Sequence, residues 1–234
     1  MKKHRGRVIT LISTTLGLAA LFLAVSISAG YNPKIIGELA FDVSRGYVDN
    51  TIYIWEGREL VPYLVLTANY HGDNTLLLRK EALPEKVQLG KYEAYYPAFY
   101  VCDYLNGEFA DSIKADIVEV TIPVVNKKQT DIEYVRQKVF LPSAAELGIE
   151  TEIQEGWKMN FFTDNKNLIT TTSFATRSPT LDHPAAVISV STDSSTFETF
   201  AFDKQYIRPA FCVSSSTFIT KKQISDELTI FMIE

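Results

Sequence analysis

Side chains that carry most chemistry at neutral pH are few in this chain, and their spacing limits what they can do. Three histidines occur: His4 near the start, His71 beside Asp73 in HGDN, and His183 beside Asp182 in LDHPA. A neighbouring Asp-His pair can be half of a metal site or a triad, yet turns also collect both residue types for conformational reasons. No two histidines stand at ligand spacing, and no HExxH, GxSxG, phosphate-loop or dinucleotide pattern is present. Ser178, in TRSPT, has no base beside it. No glycosidase-type pair of acids stands out among 28 carboxylates. The oxygen-rich strings DNKN (164–167) and HGDN (71–74) resemble calcium loops in composition alone, because such a site converges six or more oxygens and neither string is an EF-hand. The sequence points to no catalytic residue, no metal and no cofactor.

The elements that would position these residues read mainly as strands. A lead or linker over 31–50 contains a helical turn or brief strand near Ile35 to Val43. Ile52 and Ile54, then Leu64 and Leu66, alternate about a tight turn at Trp55-Glu56-Gly57-Arg58, and HGDN turns the chain back into Thr75 to Arg79: a three-stranded meander. Phe99, Cys102, Leu105 and Phe109 then fall three or four apart, the spacing of an apolar helical face. Asn106-Gly107 marks the expected end of that helix, with a second short helix over Glu108 to Asp116. An extended stretch, Ile117 to Val125, precedes a polar loop, NKKQTDIEYVRQ, and a strand at Val139 to Leu141. Ser143 with Glu146 three positions on forms a capping box for another short helix. Beyond Phe161 the chain reads as all-β. Ala186 to Val190 is a strand, Asp193-Ser194-Ser195 turns into Phe197 to Phe202, Phe211 to Val213 is the last firm strand, and KKQISDELTIFMIE is a short strand or a docked tail. The order of elements implies an α+β domain over 51–234.

Ahead of it, residues 1–7 are a basic flank with Lys2, Lys3, Arg5 and Arg7, and 8–29 carry no charge. That pairing is expected to place a segment in a membrane with the remainder outside, either as a retained single-pass anchor or, if cut near Ser26 to Ala29, as a signal peptide releasing a secreted domain. Of 23 basic residues 4 lie in the first 30, and none of the 28 acidic ones do, so 19 face 28 afterwards. An acidic domain with dispersed basic residues gives no reason to expect a nucleic-acid partner. Cys102, on the apolar helical face, and Cys212, in the last firm strand, are either a disulfide or two small buried hydrophobes.

Five strings in order, LVLTANYHGDNTLLLRKEAL, YVCDYLNGEF, KVFLPSAAELG, TRSPT and YIRPAFCV, resemble an uncharacterised bacterial domain family common in surface and exported proteins of Gram-positive bacteria. Its members show "LLLS", "WLN" with a following Phe, "VFLLS", "WLRSP" and "VRPAL"-like strings, matching residues 60 to 214 here. This chain departs in having Ala175-Thr176 for Trp-Leu, Pro142 for a Leu, and STDSSTFETF for a Gly-rich stretch. The family looks similar in layout to C-type-lectin-like domains, which implies antiparallel strands with two short flanking helices. By that analogy the helix-to-strand cysteines Cys102 and Cys212 pair. Asn106, Phe109, Arg177 and Arg208 belong to the matching strings and are expected to be structural, the arginines pinning loops through acids such as Glu108 or Asp103, with the lining of a binding cleft as the alternative for each arginine. The sugar- and calcium-binding tripeptides of true C-type lectins are absent. The resulting expectation is a non-enzymatic binding module for a glycan, wall polymer or protein. Alternatives are an assembly subunit of a cell-envelope complex, which exposed Tyr92, Tyr95, Tyr96 and Tyr100 would favour, and an enzyme akin to formylglycine-generating-type oxidases.

Overall fold

Alternating apolar residues and a well-placed glycine build the first hairpin. Strand β1 (Thr51–Glu56) and strand β2 (Glu59–Thr67) pair antiparallel from Thr51↔Leu64 to Glu56↔Glu59. Gly57, at φ +59, takes the left-handed conformation that a two-residue hairpin turn asks of its first position. Strand β3 (Asn74–Arg79) follows HGDN, where the Asn74 amide bonds back to the His71 carbonyl at 3.0 Å. Its LLL run is buried on both faces, as suits a continuous apolar run at the centre of a sheet.

The structure is a computed structural model that describes residues 32–42, 50–225 and 228–233. Residues 34–234 make one compact unit. Its main sheet has seven strands in the order β13-β14-β1-β2-β3-β12-β7, with β7 at Val139–Phe140, β12 at Ala210–Ser214, β13 at Thr220–Gln223 and β14 at Thr229–Met232. The C-terminal stretch is thus a hairpin whose β14 lies parallel to β1. A three-stranded sheet, β10-β9-β8, comprises β8 (Phe174–Pro179), β9 (Ala186–Val190) and β10 (Thr196–Phe200). Strand β5 (Val120–Val125) pairs with β6 (Ile132–Gln137), and β4 (Val87–Gln88) with β11 (Lys204–Gln205).

The expected α+β, C-type-lectin-like layout with two flanking helices is overturned. Strand occupies 38% of the described residues against 14% helical. An α-helical stretch at Tyr100–Tyr104 runs through a π-helical turn, Leu105–Phe109, into a last α turn, Ala110–Ser112. Asn106-Gly107 therefore does not end a helix. Asn106 sits in the π turn, with its amide donating to the Cys102 and Val139 carbonyls at 2.9 and 3.0 Å and to Gln137, while its oxygen accepts from the Lys138 and Val139 amides at 2.8 and 3.2 Å. The extra residue of the wider turn leaves a side-chain amide that ties the helical run to β7. Phe99, Cys102, Leu105 and Phe109 are buried, so the apolar face is as spaced. Within the stretch read as loop, Ile132–Gln137 is β6, with Tyr134 and Arg136 exposed on one side of the β5–β6 hairpin.

Cys102 and Cys212 are both free and buried, so the expected disulfide is corrected. The Cys102 thiol donates to the Tyr96 carbonyl at 3.1 Å, and Cys212 lies between Leu76 of β3 and a bridge to Val118. Each is a small apolar filler in its own setting.

The expected basic flank and apolar segment, 1–29, lie outside the described residues. Among the described residues no helix is long and apolar enough to cross a membrane. The expected single-pass membrane localisation is corrected accordingly: the fold described here is a strand-built unit with no spanning helix.

Candidate binding cleft

Site geometry starts from VFLPSAAELG. The Ser143–Glu146 box forms, with the Glu146 amide donating to Ser143 Oγ at 3.0 Å and the Ser143 amide to Glu146 Oε2 at 2.9 Å. It closes a turn rather than a helix, because Gly148 adopts φ +79 directly afterwards and its amide returns to the Ala145 carbonyl. The box places Glu146 in the core, where it meets Arg177 of β8. Arg177 donates from Nη1 to Glu146 Oε2 at 2.8 Å and from Nη2 to Oε1 at 3.0 Å, and also to the Leu141 and Pro123 carbonyls at 2.7 and 3.2 Å. Tyr70 adds its hydroxyl to Glu146 at 2.6 Å. Burial opposes the arginine's charge, but Glu146, Tyr70 and Glu155 together outweigh it and hold Arg177 protonated beyond the usual arginine range.

The expected partners of the arginines, Glu108 and Asp103, are therefore corrected. Arg177 pairs with Glu146. Arg208 donates to the Arg79 and Lys80 carbonyls at 3.1 and 2.9 Å and stacks over Phe174, 4.9 Å from its centroid. Burial lowers its pKa to about 10, which still leaves it charged at neutral pH. Both are internal braces for loops, buried at 0% and 1% exposure.

The same turn bears the site that the sequence reading missed. Ser143 Oγ donates to the Glu155 carbonyl at 2.7 Å, and Gly156, at φ +104, lets the chain reverse behind it. The Glu155 side chain consequently points inward, 1% exposed. Its Oε1 accepts from the Val125 amide at 2.8 Å, whereas its Oε2 is buried with no partner within 3.5 Å, the Ser178 hydroxyl acting on the carboxyl from beyond that distance. Burial raises the pKa of this carboxyl above the usual range, against the lowering pull of Arg177, Ser178 and the Val125 amide.

Glu155 lies in the lining of a cleft of ≈ 320 Å³. One wall is the loop carrying Glu150, Thr151, Glu152 and Ile153; the other comes from Asp182 and from Ile188, Thr196, Phe197 and Glu198 of the β9–β10 hairpin. Five carboxylates and no lysine or arginine line it. A cleft of this volume lies at the small end of ligand sites, the size of a side chain rather than of a large molecule. Among the described residues no three His, Cys, Asp or Glu converge to hold a metal ion. The carboxylates are spread along the walls, a disposition that suits an organic cation.

Other candidates fall elsewhere. His183 pairs at Nδ1 with Glu198 Oε2 at 2.6 Å rather than with Asp182, at the rim of the same cleft. His71 packs edge-on to Tyr70 and Trp157, and burial lowers its pKa. Ser178 Oγ accepts from the Ala144 amide at 2.9 Å and lines the cleft floor. Asp164 accepts from the Lys166 amide at 3.0 Å, which makes DNKN a turn. Of the tyrosines, Tyr92 and Tyr100 are exposed, Tyr95 bonds Glu133 at 2.5 Å, and Tyr96 is core, receiving the Leu141 amide at 3.0 Å. They make no single aromatic patch. The signal that could have found the cleft is ETEIQEG, with Glu150, Glu152 and Glu155 within six positions and no base among them.

The fold and site together define a mostly-β domain with a buried carboxylate at the base of an acidic cleft. The model of a domain of unknown function, DUF6273, matches residues 72–215, and the chain belongs to that family. The match runs from the β2–β3 turn through β12 and so includes the whole cleft. No curated protein and no solved structure matches the chain.

Proposed function

We propose that this chain is a binding module that takes a cationic, amine- or guanidinium-bearing group into the cleft over Glu155. The observation that carries this is the buried Oε2 without a partner, in a cleft whose other charges are all acidic. A buried carboxylate is costly unless a donor or cation meets it, and an ammonium arriving from solvent would supply both. The surrounding carboxylates attract cations and repel phosphate and carboxylate ligands, so selectivity by sign is built into the walls. A binding role is supported by the lining, where the Ser178 oxygen is engaged by the Ala144 amide and the walls are acidic.

The test is a titration of the isotopically labelled chain with Nα-acetyl-lysine methylamide, with the corresponding capped glutamate as control, followed by amide shifts. The capped lysine is expected to move Val125, Glu155, Ser178 and Glu198, and the glutamate to move none of them. Equal shifts from both, or shifts unaffected by Glu155→Gln, would contradict the reading.

A further inference from the structure

The cleft is flanked by a strand whose outer edge is open. At the two ends of the β9–β10 pairing the Ser191 amide donates to the Ser195 carbonyl at 2.8 Å and the Ala201 amide to the Ala185 carbonyl at 2.9 Å, so odd-numbered residues of β10 turn their backbone toward β9. The even-numbered residues turn theirs outward. Thr196 and Glu198 accordingly present N–H and C=O groups that no other described residue takes up. All residues of β10 except Thr199 are exposed.

The other edges of the seven-stranded and three-stranded sheets are protected. Strand β13 carries Lys221 and Lys222, the charged side chains that keep edges from pairing. Strand β7 is two residues long and fully buried. Strand β8 is covered, with the Ala175 amide bonding the Tyr206 carbonyl and the Arg177 amide the Pro142 carbonyl. Strand β10, sequence TFETF, has no lysine, no proline and no bulge against its partner. Phe197, Phe200 and Phe202 are 40%, 43% and 45% exposed beside it, the last two stacked at 5.0 Å.

We infer that the ligand is an extended peptide that adds as a fourth strand along β10 and sends a lysine or arginine side chain into the acidic cleft from the Glu198 side. This rests on the cationic reading of the cleft and names the molecule that bears the cation. Alternation along the added strand would place every second side chain on the face of Thr196, Glu198 and Ile188, three lining residues of the cleft, and the intervening ones on the face of Phe197, which borders the same cleft. Backbone pairing would supply affinity and the acidic cleft the choice of side chain. A second copy of this chain fits the edge poorly: antiparallel self-pairing centred on Glu198 sets that carboxylate against itself, and directly opposed like charges disfavour pairing.

The experiment compares three probes on the full chain by calorimetric titration: the capped lysine, a capped pentapeptide with one central lysine among threonine and valine, and the same pentapeptide N-methylated at alternate backbone amides. The pentapeptide is expected to bind at least about ten-fold more tightly than the capped lysine, N-methylation is expected to remove that advantage, and Glu155→Gln to weaken every probe. Equal affinity of pentapeptide and capped lysine overturns strand addition while leaving the cationic cleft standing. Absence of binding by all three overturns both. A concentration-dependent dimer that the pentapeptide fails to dissociate would assign the edge to a second copy and overturn the inference.

Discussion

Arg177 and Glu146 show how much of a buried pair is fixed by its surroundings. Each has further partners, the Leu141 and Pro123 carbonyls for the arginine and Tyr70 with the Ser143 amide for the glutamate. Removing one partner strands the other charge in the core, so Arg177→Met and Glu146→Gln are each expected to cost about 3–5 kcal/mol, and the double variant clearly less than their sum, in urea unfolding. Cys102 and Cys212 behave oppositely. Burial pushes the Cys102 thiol up to about 12 and Cys212 higher still, so neither is a thiolate at pH 8. Iodoacetamide is expected to leave the native chain unlabelled and to label both after unfolding, read by intact mass; labelling blocked until reductant is added would restore the disulfide. Residue roles were legible where a single residue type has one local use: the Ser143–Glu146 box and the HGDN turn stand as spaced. Partners were not legible, because Glu146 lies 31 positions from Arg177 and only the fold brings them together.

Strands were easier to locate than their neighbours in space. The β1–β2–β3 meander follows from alternation and from turn residues close in sequence, while β14 beside β1 and β12 beside β3 are long-range pairings that local pattern does not encode. The helical run was legible in its apolar face and misread at its end, since Asn106-Gly107 is a stop signal in isolation. Here the amide of Asn106 is worth more as a tether to β7 than as a cap. Asn106→Ala leaves two carbonyls and two amides around β7 and the π turn without a side-chain partner. It is expected to destabilise by about 2–3 kcal/mol, measured as a shift of the urea midpoint at unchanged slope. An unchanged midpoint would mean that the turn is held by its apolar face alone. The β6 strand was hidden for another reason: an exposed hairpin with polar alternation looks like a loop when one side of it is solvent.

For the molecule as a whole, stability and binding are set against each other at Glu155. Because burial raises the carboxyl above its ordinary pKa, the native state holds that proton more tightly than the unfolded chain does. The stability tied to it is complete below about pH 4.5, the unfolded value, and is lost as pH rises through the folded one. Glu155→Gln removes the ionisation and keeps an oxygen for the Val125 amide, so it is expected to raise stability near pH 7 by about 1 kcal/mol and to make no comparable gain at pH 4. The acidic balance of the chain was legible from composition, but the lining of one cleft by Glu150, Glu152, Glu155, Asp182 and Glu198 depends on a loop and a hairpin meeting. The most direct measurement is the thermal midpoint of the wild-type chain and Glu155→Gln at pH 7, each with and without saturating Nα-acetyl-lysine methylamide. The variant is expected to start about 2–4 °C higher and not to respond, while the wild type rises with ligand. A wild type that starts higher, or equal ligand shifts in both proteins, would contradict a cleft built around an unpartnered carboxylate.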